Sequence, residues 1–205
     1  MKEKDIILSA RIISMVFTPF YLPVLGLLAL FVFSYLSILP TLYKLFVLLM
    51  VYVFTVLAPT LLIHAYRSHQ GWTPLQLGVK ERRMVPYILS IFCYFACYYL
   101  MNLLHIPHFM SSILVAALMI QILCATVNVW YKISTHTAAI GGVAGAILAF
   151  AIIFGFNPQW WFCLTVIIGG MVGTSRMILR QHTLSQIVAG FALGLVVAFL
   201  VILMV

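Results

Sequence analysis

Two short polar segments between long apolar runs carry the residues best suited to chemistry. One reads Lys132-Ile-Ser-Thr-His136, and the other has the pair Ser175-Arg176 followed, after five residues, by His182. A guanidinium group can bind phosphate oxygens through two parallel hydrogen bonds. One histidine cannot be an unprotonated nucleophile and a protonated acid at the same moment, whereas two histidines can divide these tasks. The pattern therefore favours phosphate chemistry.

A scarcity of acidic residues narrows that chemistry. Glu3, Asp5 and Glu81 are the complete set in the sequence. Magnesium and calcium sites need several oxygen ligands, commonly carboxylates, and glycosidases need a carboxylate pair. We therefore expect catalysis without a metal ion or another cofactor. Cys93 and Cys97 lie one helical turn apart, but without nearby partner ligands they are interpreted as packing residues rather than a soft-metal site.

The elements that position these residues are predicted to be membrane-spanning helices. Hydrophobic residues make up 65% of the chain and charged residues 7%. Several apolar runs reach the roughly 20 residues that cross a bilayer core, and they lack the period of two expected of a transmembrane barrel. The sequence predicts an all-α polytopic bundle that forms one domain over residues 1–205.

Six to seven spans are predicted. The sixth is short and glycine-rich, so six spans with a re-entrant segment is the alternative. Pro19 and Pro23 are expected to bend the first span without ending it, and the glycines at 141, 142 and 145 are expected to permit close helix packing. The seven segments are 12–39, 41–64, 86–104, 109–131, 137–156, 159–173 and 183–205.

The order of these spans brings the polar segments to one side of the membrane. The basic loop 67–83 follows the second span, residues 132–136 follow the fourth, and residues 175–182 follow the sixth. A two-span hairpin separates each consecutive pair, so all three loops emerge on the same face. They can converge on one site if the sixth segment crosses.

The motif residues resemble the integral-membrane branch of the type-2 phosphatidic acid phosphatase and vanadium haloperoxidase superfamily. Ser175, Arg176 and His182 match its third motif at the correct spacing, with Gln186 in the place of an aspartate. The resemblance covers about residues 67–195 and implies that His182 attacks phosphorus and forms a phosphohistidine. Arg176 would hold the phosphoryl oxygens.

Its other two motifs match less completely. Ser134 and His136 fit the second motif, although Ile133 and Thr135 replace its proline and glycine. The resemblance implies that His136 protonates the leaving group and then activates water. The first motif has a lysine, six residues and an Arg-Pro pair, and here only its residue types recur. The residues expected to contribute to phosphate binding are Ser134, Ser175, Lys80, Arg82, Arg83 and Lys132.

Among the differences from the family motifs, Gln186 has the largest expected effect on catalysis. Four residues after His182, its amide oxygen can accept the imidazole N–H and hold the tautomer, but it supplies no negative charge. This keeps a non-catalytic, lipid-binding or scaffolding protein open as the alternative function. A transporter is less favoured, because no carboxylate falls within a predicted span.

The expected substrate is a phosphorylated membrane lipid: a phosphatidate, a phosphatidylglycerophosphate, a polyprenyl pyrophosphate or a lipid A-like phosphate. The formal net charge is +8, but the cations lie beside spans, so anionic lipid explains them without nucleic acid. We expect an integral protein of the bacterial inner (plasma) membrane. Charge bias places the site in the cytoplasm, whereas the family resemblance implies the extracytoplasmic face. The site side would hold Lys2, Lys4, Arg11, Arg67, Lys80, Arg82, Arg83, Lys132, Arg176 and Arg180, against Lys44 opposite.

Overall fold

The computed structural model describes residues 3–33, 35–70 and 80–204. It is 85% helical and contains no strand among the described residues, which confirms the predicted all-α bundle. A short 3-10 helix spans Tyr35–Ile38, and a π-helical turn spans Val53–Leu57. The α-helices are α1 (Glu3–Val16), α2 (Leu22–Phe33), α3 (Thr41–Tyr52), α4 (Ala58–Gln70), α5 (Lys80–Leu103), α6 (His108–Val127), α7 (Thr135–Phe154), α8 (Gln159–Ile178) and α9 (Leu184–Met204).

Within the described ranges, six helices are long and apolar enough to cross a membrane. One of them combines α3, the π turn and α4, and the other five lie within α5 to α9. The sixth predicted segment continues beyond residue 173, because α8 extends through the Ser-Arg motif to Ile178. Its length and composition support a full crossing rather than a re-entrant segment.

The first predicted span is wrong in one respect, because the chain breaks where only a bend was expected. Helix α1 ends at Val16 and α2 begins at Leu22, with Pro19 in the intervening turn. Proline lacks an N–H group and its ring clashes with the preceding helical turn. Pro23 lies in the first turn of α2, where a missing N–H group costs little. The segment therefore consists of two helices, of 14 and 12 residues.

Another proline, Pro59, is accommodated without a break in the helix. Pro59 cannot donate to the carbonyl of Thr55, and the π turn Val53–Leu57 contains that carbonyl. The wider turn lets α3 and α4 continue as one helix. Arg67 thereby reaches the last turn of α4.

Close packing of α7 against α9 forms the centre of the bundle. A Cβ atom added at Gly141 would collide with the main chain at Phe191, and one added at Gly194 would collide with the carbonyl of Ala138. Gly145 has the same close relation to the Leu195 carbonyl. The predicted role of the α7 glycines in helix packing is confirmed, and this contact fixes the relative position of the two motif-bearing helices.

Candidate active site

Hydrogen bonds join the start of α7 to the start of α9. The main-chain N–H of Ser134 donates to the carbonyl of Gln186 at 3.3 Å. The Ser134 hydroxyl caps α7 by accepting from the N–H of Thr137 at 3.4 Å, and the Thr137 hydroxyl donates to the carbonyl of Ile187 at 3.0 Å. These contacts place His136, in the first turn of α7, beside the loop that carries His182.

A left-handed turn brings that loop back from α8. Arg180 has φ of 53°, and the N–H of Gln181 donates to the carbonyl of Arg176 at 3.0 Å. This pattern of a left-handed residue followed by a bond to the last helical turn is a common way to end a helix. It reverses the chain direction between Arg176 and His182.

The predicted contact between His182 and Gln186 is present. Nδ1 of His182 lies 3.1 Å from Oε1 of Gln186, and the main-chain N–H of Thr183 donates to the same oxygen at 3.3 Å. A main-chain N–H can only donate, so it identifies the amide atom that faces the ring as the oxygen. Nδ1 of neutral His182 must then carry the proton, and Nε2 is the nitrogen with the lone pair.

His136 interacts with residues from three other parts of the chain. It lies close enough to Arg176 and His182 for charge–charge interaction, and its ring contacts the main chain of Ser14. Its Nδ1 atom is buried and has no hydrogen-bond partner among the described residues. The structure thus brings together the three residues that the sequence predicted as catalytic.

Arg176 is held by a residue that the sequence did not indicate. Its Nη1 atom donates to the hydroxyl of Ser14, in α1, at 2.7 Å. Tyr87, from α5, is also near enough to interact electrostatically with the guanidinium group. Nε of Arg176 is buried without a hydrogen-bond partner in the described part of the chain. No local pattern around Ser14 predicted this contact, because 162 positions separate the two residues.

The other predicted phosphate-binding residues differ in burial and in the direction that their side chains face. Ser134 is fully buried at the helix cap, and Lys132 is exposed. The buried Ser175 donates its hydroxyl hydrogen to the carbonyl of Met171 and faces a crevice between α1 and α8. The main chain of Lys80, Arg82 and Arg83 begins α5 at the same end of the bundle, but their side chains lie outside the described residues.

A partly open cavity of about 660 Å³, which we name the chamber, begins at this site. Arg67, His136 and Arg176 line one part of it, so Arg67 is a further cation of the site that belongs to none of the three motifs. Phe150 and Trp161 line another part. The described residues contain no group of three histidine, cysteine or acidic side chains placed to hold a metal ion.

A family model described as the PAP2 superfamily matches residues 87–205, which is more than half of the chain. The chain therefore belongs to the PAP2 superfamily, and the family prediction is confirmed. Membership supports phosphatase-type activity in general. The match includes both histidine motifs and leaves α1 and α2 outside it. No curated protein and no solved structure matches the chain significantly.

Proposed function

We propose that this PAP2 superfamily member hydrolyses a phosphomonoester or pyrophosphate of a membrane lipid through a phosphohistidine on His182, without a metal ion. The observation that carries the proposal is the contact between His182 and Gln186, at 3.1 Å. It supports a tautomer in which Nε2 can attack phosphorus. His136, near His182, supplies the acid and the base, and the guanidinium group of Arg176 supplies positive charge for the phosphoryl oxygens.

The first chemical step transfers the phosphoryl group to His182. The Nε2 lone pair forms a bond to phosphorus while the bond from phosphorus to the leaving oxygen breaks. His136, in its protonated form, gives a proton to that oxygen. Arg176 stabilises the negative charge on the phosphoryl oxygens as the transition state forms.

The second step restores the enzyme. His136, now neutral, takes a proton from water, and the resulting hydroxide bonds to phosphorus. The bond between phosphorus and Nε2 breaks, so His182 regains its lone pair and inorganic phosphate leaves. Gln186 supports both steps because it keeps the Nδ1 proton in place throughout.

A panel of lipid phosphates tests the proposal. Purified protein treated with a chelator is expected to release phosphate from at least one of phosphatidate, phosphatidylglycerophosphate, a polyprenyl pyrophosphate and a lipid A-like phosphate. The reason is that the chain has three acidic residues in total and lacks the ligands of a magnesium cage. Activity that disappears on chelation and returns with magnesium or zinc would contradict the metal-free mechanism.

We further propose an inner-membrane location with the site on the cytoplasmic face. Arg67, Lys132 and Arg176 lie at the site end of the bundle, whereas Lys44 lies at the start of α3, at the other end. In a cysteine-free background, Lys132→Cys is expected to react with a membrane-impermeant thiol reagent only after the cytoplasmic side is opened. Pro107→Cys, between α5 and α6, is expected to react in intact cells; the reverse pattern would place the site outside.

One observation favours the non-catalytic alternative, a lipid-binding protein. The amide of Gln186 supplies no negative charge to stabilise the cationic phosphoimidazole that forms on His182. Absence of turnover on every lipid phosphate in the panel, with retained binding, would favour this second function.

A further inference from the structure

The chamber is almost as deep as the membrane. On α7 its lining runs from His136 through Ile140, Val143 and Ala146 to Phe154, with the spacing of one helical face. Eighteen residue steps of about 1.5 Å give a depth of about 27 Å. The hydrocarbon core of a bilayer is about 30 Å thick. A ligand in the chamber can therefore extend from the active site to the far end of the bundle.

Small residues on facing helices create this space. Ala116 and Ala117 of α6 and Ala139, Gly142 and Ala146 of α7 all line the chamber. Helix α2 contributes another wall through Leu22, Leu25, Gly26 and Leu30. Helix α2 precedes residues 87–205, so this wall lies outside the region that matches the family.

Polarity divides the chamber into two parts. The site end presents Arg67 and Arg176, which suit an anionic group. Deeper in the chamber the polar residues Ser90 and Gln121 bond to each other, at 2.8 Å between their oxygens. The surface that remains is mainly aliphatic and aromatic, so it suits hydrocarbon. One amphiphile with an anionic head and an apolar tail matches both parts.

Aromatic rings line the deep end. Phe150 and Phe154 are stacked with their centroids 5.5 Å apart, and Phe109 packs edge-on against Phe154 at 6.4 Å. Phe150 is 7% exposed. We call the Phe150–Phe154 pair the floor of the chamber, because it lies at the end farthest from the site.

We propose that the chamber holds the hydrocarbon tail of the phosphorylated substrate, and that it selects a tail longer than one membrane leaflet. A tail confined to one leaflet covers half of the hydrocarbon core, about 15 Å, and would leave the deeper part of the chamber empty. The proposal rests on the proposed function for the identity of the head group. The distance between the active site and the Phe150–Phe154 floor determines the tail length that fits.

Photo-cross-linking locates the tail without requiring turnover. The probes are dodecyl and tetracosyl phosphate with a diazirine at the tail end, added to the His182→Ala variant in lipid nanodiscs. The dodecyl tip is expected to label the middle of the chamber near Ala146, and the tetracosyl tip is expected to label Phe150 or Phe154. Labelling of outward-facing residues such as Ile152, which is 64% exposed, by both tips would overturn the proposal.

Variants test whether the chamber selects tail length. Ala146→Phe fills the middle of the chamber, so it is expected to lower kcat/KM for tetracosyl phosphate at least tenfold more than for butyl phosphate. Phe154→Ala removes part of the floor and is expected to shift the preference towards longer tails. Ile152→Phe places the same ring on the outer face of α7, away from the chamber, and serves as the control.

The two proposals can fail separately. For water-soluble alkyl phosphates, burial of each added methylene is expected to raise kcat/KM by up to about fourfold. Phosphate release that does not change with tail length would overturn the chamber proposal and leave the phosphatase proposal standing. Tail labelling inside the chamber without phosphate release from any substrate would overturn the phosphatase proposal and leave the chamber proposal standing.

Discussion

Gln186 offers the sharpest test of how the site prepares its nucleophile. Its Oε1 atom accepts two hydrogen bonds, from Nδ1 of His182 at 3.1 Å and from the main chain of Thr183 at 3.3 Å. Gln186→Glu keeps the length of the side chain and both acceptor contacts, and it adds a negative charge. Gln186→Leu removes the acceptor.

The magnitudes follow from the strengths of these bonds. A neutral hydrogen bond contributes about 0.5–1.5 kcal/mol, and one to a charged group contributes about 1.5–3 kcal/mol. In the phosphorylation transition state His182 becomes cationic, so the glutamate is expected to gain about 1.4 kcal/mol, or about tenfold in rate. The leucine variant is expected to lose about 2- to 13-fold, which is the rate equivalent of the neutral bond.

Rapid-quench measurement of phosphoenzyme formation from an activated aryl phosphate separates this step from hydrolysis. Gln181→Leu is the matched control, because Gln181 is exposed in the same loop. Wild-type phosphorylation rates in a folded Gln186→Leu variant would refute the orienting role of the amide. A slower Gln186→Glu enzyme would show that the extra charge does not favour phosphoryl transfer in this site.

Two further predictions concern the contacts that support the site. Ser14→Ala removes the acceptor 2.7 Å from Nη1 of Arg176, so kcat/KM is expected to fall about tenfold or more. Ser9→Ala in the same helix is the control, and a rise in kcat/KM for Ser14→Ala would indicate that Ser14 obstructs phosphate binding. Gly194→Val must push α9 away from the carbonyl of Ala138, so thermal unfolding is expected to show a loss of about 1–3 kcal/mol. Gly170→Val is the control, since a Cβ atom there meets nothing within 4 Å, and equal losses in both variants would contradict the packing interpretation.

The arrangement of the long helices could be predicted because hydrocarbon imposes a simple requirement. Each backbone polar group must be satisfied inside the membrane, so apolar runs of sufficient length indicate helices. Two-span hairpins then place His136 and His182 at the same end of the bundle. The motif spacing predicted the partner of His182 as well. The reason differs from the expected one, because His182 lies in the loop before α9 and Gln186 in the first turn of that helix, so the contact is made across the helix start and not along one helical face.

The role of the N-terminal segment could not be predicted in the same way. Pro19 can bend a membrane helix or interrupt it, and contacts distant in sequence determine the outcome. Here α1 packs against α8 and brings Ser14 to Arg176. The sequence around Ser14 and the sequence around Arg176 do not indicate that these two residues are in contact.

The chamber was also beyond sequence analysis, for a different reason. Alanines such as Ala116 and Ala146 are equally consistent with tight helix packing and with an open space. Which of the two occurs depends on how α2, α6 and α7 are spaced, and that spacing is a property of the assembled bundle. The place of Arg67 in the lining depends on the same spacing. The sequence put its loop on the side of the membrane that holds the site, but it did not distinguish Arg67 from the other cations of that loop.

Trapping the phosphoenzyme tests the central claim most directly. Protein quenched during turnover of an active lipid phosphate is expected to carry an acid-labile phosphoryl group on the peptide that contains His182. His182→Ala is expected to lose both this group and phosphate release, whereas His136→Ala is expected to retain the phosphoryl group when the leaving group is good. Turnover that survives His182→Ala would contradict the account.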